Sequence, residues 1–365
     1  MNSRYPHQKQ QQGVALVVVV LIVALVVVLA TQMMGRLQLN VIRTQNIKDN
    51  NQAYWYALGA EEFARKSISQ LLALSDDNIN LSQPWAQTFE YPVDGGTIKA
   101  ELFDMQSCFN LNAVNAIPPS QGNNTDEQNS DDDDPNLADE LAAQPVNQER
   151  QQNPNNANRL PSQIAFSRLL EFYAQDSFVV DTVTDSLIDW LDADDNPSNY
   201  GAEDLDYESL VSPYLAANNT LSSKTELRLV KGVSEGIESG WLKELLPLVC
   251  VVPDQVMRLN VNTVTERQAP VLAALLGDTI DTAQTIIANR PPEGFNSVDD
   301  FRSLPAVSAL NLTPAELEWF VIKTSYFQLS TTAKYNDARF RLVTLFEVDS
   351  GDNGVRVVRR EFGGF

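Results

Sequence analysis

The chain has 365 residues, enough for more than one hydrophobic core, so two folded units plus appendages are expected. Its formal net charge of −22 would repel a nucleic-acid backbone rather than neutralise it, and the acidic residues concentrate in the middle third. With one histidine, His7, and two cysteines, Cys108 and Cys250, a four-ligand Cys/His zinc site is close to excluded, whereas clustered carboxylates suit a hard cation.

Residues 11–30 read QQGVALVVVVLIVALVVVLA, passing from glutamine to unbroken hydrocarbon across Gly13. As a helix, Val14–Ala30 is roughly 26 Å long, just enough to enter a hydrocarbon core about 30 Å thick, and Thr31–Met34 extend it. A buried core helix is rarely so uniformly rich in valine. A cleaved secretory signal would have a shorter apolar stretch followed by small residues, which ATQMMG does not provide. Residues 1–13 are therefore read as a polar, basic leader carrying Arg4 and Lys9, and 14–34 as a transmembrane helix. Charge alone does not orient it, because Arg36, Arg43 and Lys48 follow the span.

This junction resembles a type IV prepilin-type leader. The resemblance implies cleavage between Gly13 and Val14 by a prepilin peptidase on the cytoplasmic side, with the helix left in the inner membrane. Pilin-like chains mostly carry glutamate at the fifth mature position, where this chain has Val18. A carboxylate in lipid is costly unless paired, there with the amine of the subunit ahead. A subunit with no neighbour ahead has no use for it, so Val18 implies a place at a filament tip.

The helix is expected to continue past the membrane, since residues 36–72 contain no proline or strong breaker. Ala57, Ala60, Ala64, Ile68 and Leu71 recur at spacings of three and four, marking one packing face. Gly59 costs about 1 kcal/mol there without ending the pattern. Tyr54–Trp55–Tyr56 is read as packing against a sheet. QTFEYPVDGGTIKAELFDM predicts two strands around Asp94–Gly95–Gly96. At the other end, residues 321–365 predict three strands, with turns at Tyr335–Asn336–Asp337 and at 350–354. Residues 35–106 and 321–365 thus make one small α+β domain, split by an insertion at 107–320.

The insertion reads as mostly helical. FVVDTVTDSLIDWL places Val180, Val183, Leu187 and Leu191 on one face, and SEGIESGWLKELLPL and TERQAPVLAALLG also read as helices. Residues 118–162, rich in amides and aspartate with few large apolar side chains, read as a flexible acidic loop, and Asp131–Asp134 as solvated charge. Residues 258–307 look like a helix-hairpin-helix unit. Its hairpin, LLGDTID, has one glycine and two aspartates, so packing rather than phosphate binding is expected.

LIDWLDADDNPSNYGAEDLDYESL carries the densest carboxylates. Asp192, Asp194, Asn196 and Glu203 fall at positions 1, 3, 5 and 12 of an EF-hand-like loop, but position 6 is Pro197 where a glycine is needed. A calcium site of another kind, drawn from Asp192, Asp194, Asp195, Glu203, Asp204 and Asp206, is the expectation; the plain alternative is a solvated acidic loop. Cys108 and Cys250 are two inert thiols or one disulfide, which an extracytoplasmic location favours. Catalysis is not expected: removal of the leader takes the sole histidine, and there is no P-loop or GxGxxG after a strand. Carboxylates abound for a glycosidase-type pair, but nothing singles one out.

The Gly13 junction, Val18, the split α+β domain and the segments SCFNLNAVN, LIDWLDADDNP, LVCVVP and LNVNT together resemble the type II secretion minor pseudopilin K family. The resemblance implies a long helix packed on a small antiparallel sheet with a large α-helical insertion. It implies a periplasmic tip protein of the pseudopilus, with minor pseudopilins I and J as partners, the H and major pseudopilins beside them, and calcium in the insertion. Exported proteins are conceivable contacts, and nucleic acid is not. The rival reading is a membrane-anchored calcium-binding adhesion or substrate-binding module acting alone.

Overall fold

The computed structural model describes residues 14–74, 78–116, 159–174, 176–349 and 354–363. The expected leader with Gly13, residues 118–158 of the acidic segment with Asp131–Asp134, and 350–353 of the last turn lie outside the described residues.

Val14–Leu74 forms one helix, α1, of 61 residues, roughly 90 Å at 1.5 Å per residue. Every residue from Ala15 to Lys48 is exposed, so the apolar first third packs on none of the other described residues. Asp49 is the first buried position, and it accepts a hydrogen bond from Asn336 at 3.3 Å. Beyond it the buried line is Ala53, Ala57, Glu61, Ala64, Ile68 and Leu72. The expected face is displaced at two positions: Ala60 and Leu71 are half-buried at its margin, and Glu61 takes the centre. Apolar periodicity cannot foresee a carboxylate in a core. Glu61 is tolerated because Arg360 and Thr344 each donate to it, both at 2.7 Å.

Five strands make an antiparallel meander: β1 (Phe89–Val93), β2 (Gly96–Asp104), β3 (Tyr326–Tyr335), β4 (Ala338–Val348) and β5 (Val355–Phe362). Gly95 turns β1 into β2 with φ +71°, and Asn336 turns β3 into β4 with φ +48°. Phe327, Leu329, Ala333, Leu342 and Phe346 point from one sheet face towards α1. Tyr54 and Tyr56 pack on Phe340 and Tyr335 as expected, whereas Trp55 is 64% exposed.

The insertion leaves the sheet after β2 and returns before β3, at the end of the sheet farthest from the membrane span. Its helices include α2 (Pro161–Glu171), α3 (Ser177–Leu191), α4 (Asp204–Glu208), α5 (Val233–Ser239), α6 (Trp241–Leu245), α7 (Ala269–Leu276) and α8 (Ile280–Ala288). Val180, Val183 and Leu187 of α3 are buried and Leu191 half-buried. The single helix expected over SEGIESGWLKELLPL is broken into α5 and α6 at Gly240, which sits at φ +88°. Helices α7 and α8 pack together around Gly277, whose φ is +67°.

The flexible loop expected over 118–162 ends earlier than its composition suggests. Arg159 is 6% exposed and donates to Asp181 at 3.0 Å and to Asp185 at 2.5 Å, and Pro161 already starts α2. An arginine in a polar stretch looks solvated until its acidic partners, a helix away, are located.

Two Asn-x-Asn boxes stitch distant segments of the insertion to one another. Phe109–Asn110 pairs in parallel with Val249–Cys250, and Leu259–Asn260 with Phe320–Val321. In each box the first asparagine's oxygen accepts from the N–H of the second, at 3.3 Å for Asn110 and 2.9 Å for Asn260. Asn112 donates to the carbonyls of Leu221 and Val252, and Asn262 to that of Phe295. These amides satisfy irregular backbone where no strand ladder runs.

Candidate metal centre

Helix α3 ends at Asp192, where the chain turns extended. A helix C-terminus carries partial negative charge, and α3 has no basic residue in its last turn to offset it. The loop that follows is held from beneath by Asp189, which is fully buried. Its carboxylate accepts from the N–H of Ser198 at 3.1 Å and of Ala202 at 2.8 Å. Gly201 permits that approach, since a Cβ there would lie 1.7 Å from the Asp189 carboxylate. Asp194 closes a small turn by accepting from the N–H of Asn196 at 2.8 Å.

This path brings Glu203 back over Asp192. One carboxylate oxygen from each of Asp192, Asp194 and Glu203 lies within 4.8 Å of the others. These are the first, third and twelfth positions of the EF-hand-like pattern, brought together without its glycine: Asp189 shapes the loop in place of the turn that Pro197 denies. Asp195, Asp204 and Asp206 are not in this group. Asp195 accepts from Asn218, Asp204 from the N–H of Ala216, and Asp206 forms an ion pair with Lys231 at 3.0 Å.

Glu203 is only 4% exposed, yet neither of its carboxylate oxygens has a hydrogen-bond partner, and Asp192 Oδ1 is also unpartnered. Burial, with added repulsion from neighbouring carboxylates, pushes both Asp192 and Glu203 up to about 7. Asp189 is raised for the same first reason. An all-oxygen, multiply anionic donor set whose buried member, Glu203, has no hydrogen-bond donor on either oxygen fits a hard divalent cation. Asp192, Asp194 and Glu203 are the side chains that would hold it. Once bound, the ion supplies positive charge and no reactive chemistry.

Asp189 was not foreseen. The available signal is the stripe Asp181–Asp185–Asp189 at four-residue spacing, all three buried on α3. Its first two members serve Arg159, and the third holds the loop together with Asp185, which accepts from the N–H of Tyr200.

The other expected site residues fall elsewhere. Val14 opens α1, and Val18, half exposed, lies on its bare apolar surface. Cys108 and Cys250 are joined in a disulfide with a Cα–Cα distance of 5.8 Å, packed with Met105, Tyr326 and Leu345 on the sheet face away from α1. Beside it, buried Asp104 accepts from Thr263 at 2.6 Å and Thr324 at 2.7 Å; burial pushes it up to about 6 despite these bonds.

Residues 107–254 and 259–323 match two family models, each described as type II secretion system protein K. The chain is 34% identical to the type II secretion system protein K of Aeromonas hydrophila, covering 98% of this chain and 99% of that one. Identity to the Klebsiella pneumoniae protein of that name is 33%, with 97% of each chain covered. The Pseudomonas aeruginosa protein is 29% identical, over 98% of this chain and 94% of its own. A chain in the crystal structure of the GspK-GspI-GspJ complex from enterotoxigenic Escherichia coli shares the fold. Its TM-score is 0.69 at 24% identity, covering 88% of this chain and all of that one.

Proposed function

This chain belongs to the type II secretion system protein K family, and from that premise we propose that it stands at the tip of the pseudopilus. There it assembles with minor pseudopilins I and J, and helps start and cap the filament that drives folded proteins across the outer membrane. The H and major pseudopilins lie behind it. A prepilin peptidase releases residues 1–13, the helix from Val14 stays in the inner membrane, and the remainder occupies the periplasm, where Cys108–Cys250 is stable.

One observation carries the tip assignment. The insertion sits at the membrane-distal end of the sheet, across the space that a subunit stacked ahead would fill. Val18 agrees with it, since a leading subunit has no amine to meet in lipid. In sheared native fibres, labelled protein should appear once, at an end. Labels repeated along the shaft would reject a tip role. Intact mass should begin at Val14, and Gly13→Ile should leave the leader attached and block assembly.

Calcium bound by Asp192, Asp194 and Glu203 is part of the same proposal. Its role is to hold the loop after α3 in place, with Asp189 as the protein's own support beneath it.

A further inference from the structure

Two carboxylates of the acidic stretch that stay outside the metal group support a second feature. Asp204 accepts from the N–H of Ala216 at 2.9 Å, and Asp195 from the Asn218 amide at 3.2 Å. These bonds pin residues 214–219 to the stretch that follows α3, and the pinned segment lines an open cavity of about 380 Å³. Trp190, in the last turn of α3, also lines it. The Tyr207 and Tyr214 rings meet the indole edge-on, at 5.3 and 6.3 Å, and the Tyr214 hydroxyl donates to the carbonyl of Leu229 at 2.7 Å. Three observations point to a ligand. Trp190 is 3% exposed and its indole N–H has no acceptor, although a buried tryptophan N–H usually finds one. Leu215 and Leu229 leave hydrocarbon uncovered, at 55% and 43% exposed. Glu226 is the sole charged side chain among the described lining residues; its Oε2 accepts from the N–H of Ser222 at 2.9 Å, and Oε1 is left to accept from a ligand.

We propose that this cavity binds a neutral N-acetylated sugar. The proposal goes beyond the filament role and stands whether or not that role holds. Charge removes one class of ligand: no Lys or Arg is among the described lining residues, and residues 187–230 carry nine Asp and Glu against two Lys and Arg, so an anion would be repelled. An acetamido group matches what the walls offer. Its carbonyl supplies the acceptor that the Trp190 N–H lacks, its N–H can donate to Glu226, and its methyl covers Leu215 and Leu229. Ring hydroxyls find partners in Asn219, Thr220 and Ser222, neighbours along the same segment. The volume lies near the low end for ligand pockets, which suits one ring-sized group. An apolar peptide side chain is a poorer occupant: it would cover the leucines but strip water from Asn219, Thr220 and Ser222 without replacing it.

The test is saturation-transfer NMR on the full chain in detergent, with tri-N-acetylchitotriose as the probe. The acetyl methyls should receive the strongest transfer. Cellotriose, which carries hydroxyls in place of the acetamido groups, should bind about tenfold more weakly or worse. Leu229→Asp, at an exposed wall position, should lower affinity about tenfold with the melting temperature unchanged. Trp190→Phe keeps a ring and loses the N–H, and should lower affinity by a similar factor; if it also lowers the melting temperature, Leu229→Asp decides alone. Purified cell-wall sacculi and a glycoprotein bearing N-acetylglucosamine, offered separately, distinguish the sources of such a sugar, and retention of either supports the cavity. Equal binding of cellotriose, tighter binding of an acetylated leucine–glycine peptide, affinity unmoved by Leu229→Asp, or no transfer at millimolar probe would overturn it.

Discussion

The sheet and the insertion are held together by different means. In the sheet, α1 covers a continuous antiparallel ladder with apolar side chains, and Glu61 is the main charged intruder. The insertion has only small two-stranded bridges around a large apolar core of its own, and that packing is supplemented by Arg159 with its aspartates, the Asn-x-Asn boxes, the Cys108–Cys250 bond and the carboxylate loop. Charge divides the same way: residues 107–320 contain 34 Asp and Glu against 11 Lys and Arg, the remainder 14 against 15. Apolar packing against a ladder holds under most solvent conditions. In the insertion, crosslinks and ion pairs added to the apolar core make stability partly conditional on redox state and pH, and the proposed cation site would add metal to these.

That contrast breaks most visibly at the disulfide. Cys108→Ser with Cys250→Ser opens a loop spanning 142 residues, and the chain-entropy model gives a loss of up to ~5 kcal/mol. Hydrogen exchange should show the insertion's amides losing protection while β3 and β4 keep theirs; equal loss in both would erase the distinction. Next comes Arg159→Met, which leaves Asp181 and Asp185 buried without its guanidinium and should cost about 3–5 kcal/mol in urea denaturation.

Calcium should matter somewhat less. At a hundredfold excess over its dissociation constant it would stabilise by about 2.7 kcal/mol. Thermal melting with and without chelator reads this, and Glu203→Gln should abolish the difference. A chelator effect that survives the substitution would move the site elsewhere.

Asp104, at the seam of the two regions, predicts a pH effect of opposite sign to ordinary acid denaturation. Its folded-state value of about 6 lies above the unfolded one, so the folded chain binds the extra proton between pH ~4 and 6. Its contribution is full below that window and is lost as pH rises through it, on the order of 2–3 kcal/mol. Asp104→Asn should flatten the slope, because both threonine hydroxyls can turn to accept from the amide. Smallest is Glu61→Gln, about 1 kcal/mol, since Arg360 is half exposed and rehydrates easily.

Legibility in the sequence follows the same division. The ladder strands, both hairpin turns with described residues and the long helix announce themselves through alternation, glycine or asparagine at turns, and the absence of breakers. The carboxylate loop was legible by spacing, because Asp192, Asp194 and Glu203 keep EF-hand intervals even though Pro197 occupies the sixth place. Three carboxylates in the same stretch read identically and were separable only by their partners: Asn218, Ala216 and Lys231. Glu61, Arg159 and Asp189 were invisible for a shared reason. Each is a charged residue made burial-worthy by a group distant in sequence, and periodicity carries no such pairing.

Helix α1 has no proline and passes from bilayer to sheet without a joint. In the proposed filament role such a rod would transmit thrust: lifting its foot by one subunit's rise would lift the insertion with it. A proline placed between Arg36 and Lys48 would kink that rod and decouple its two ends.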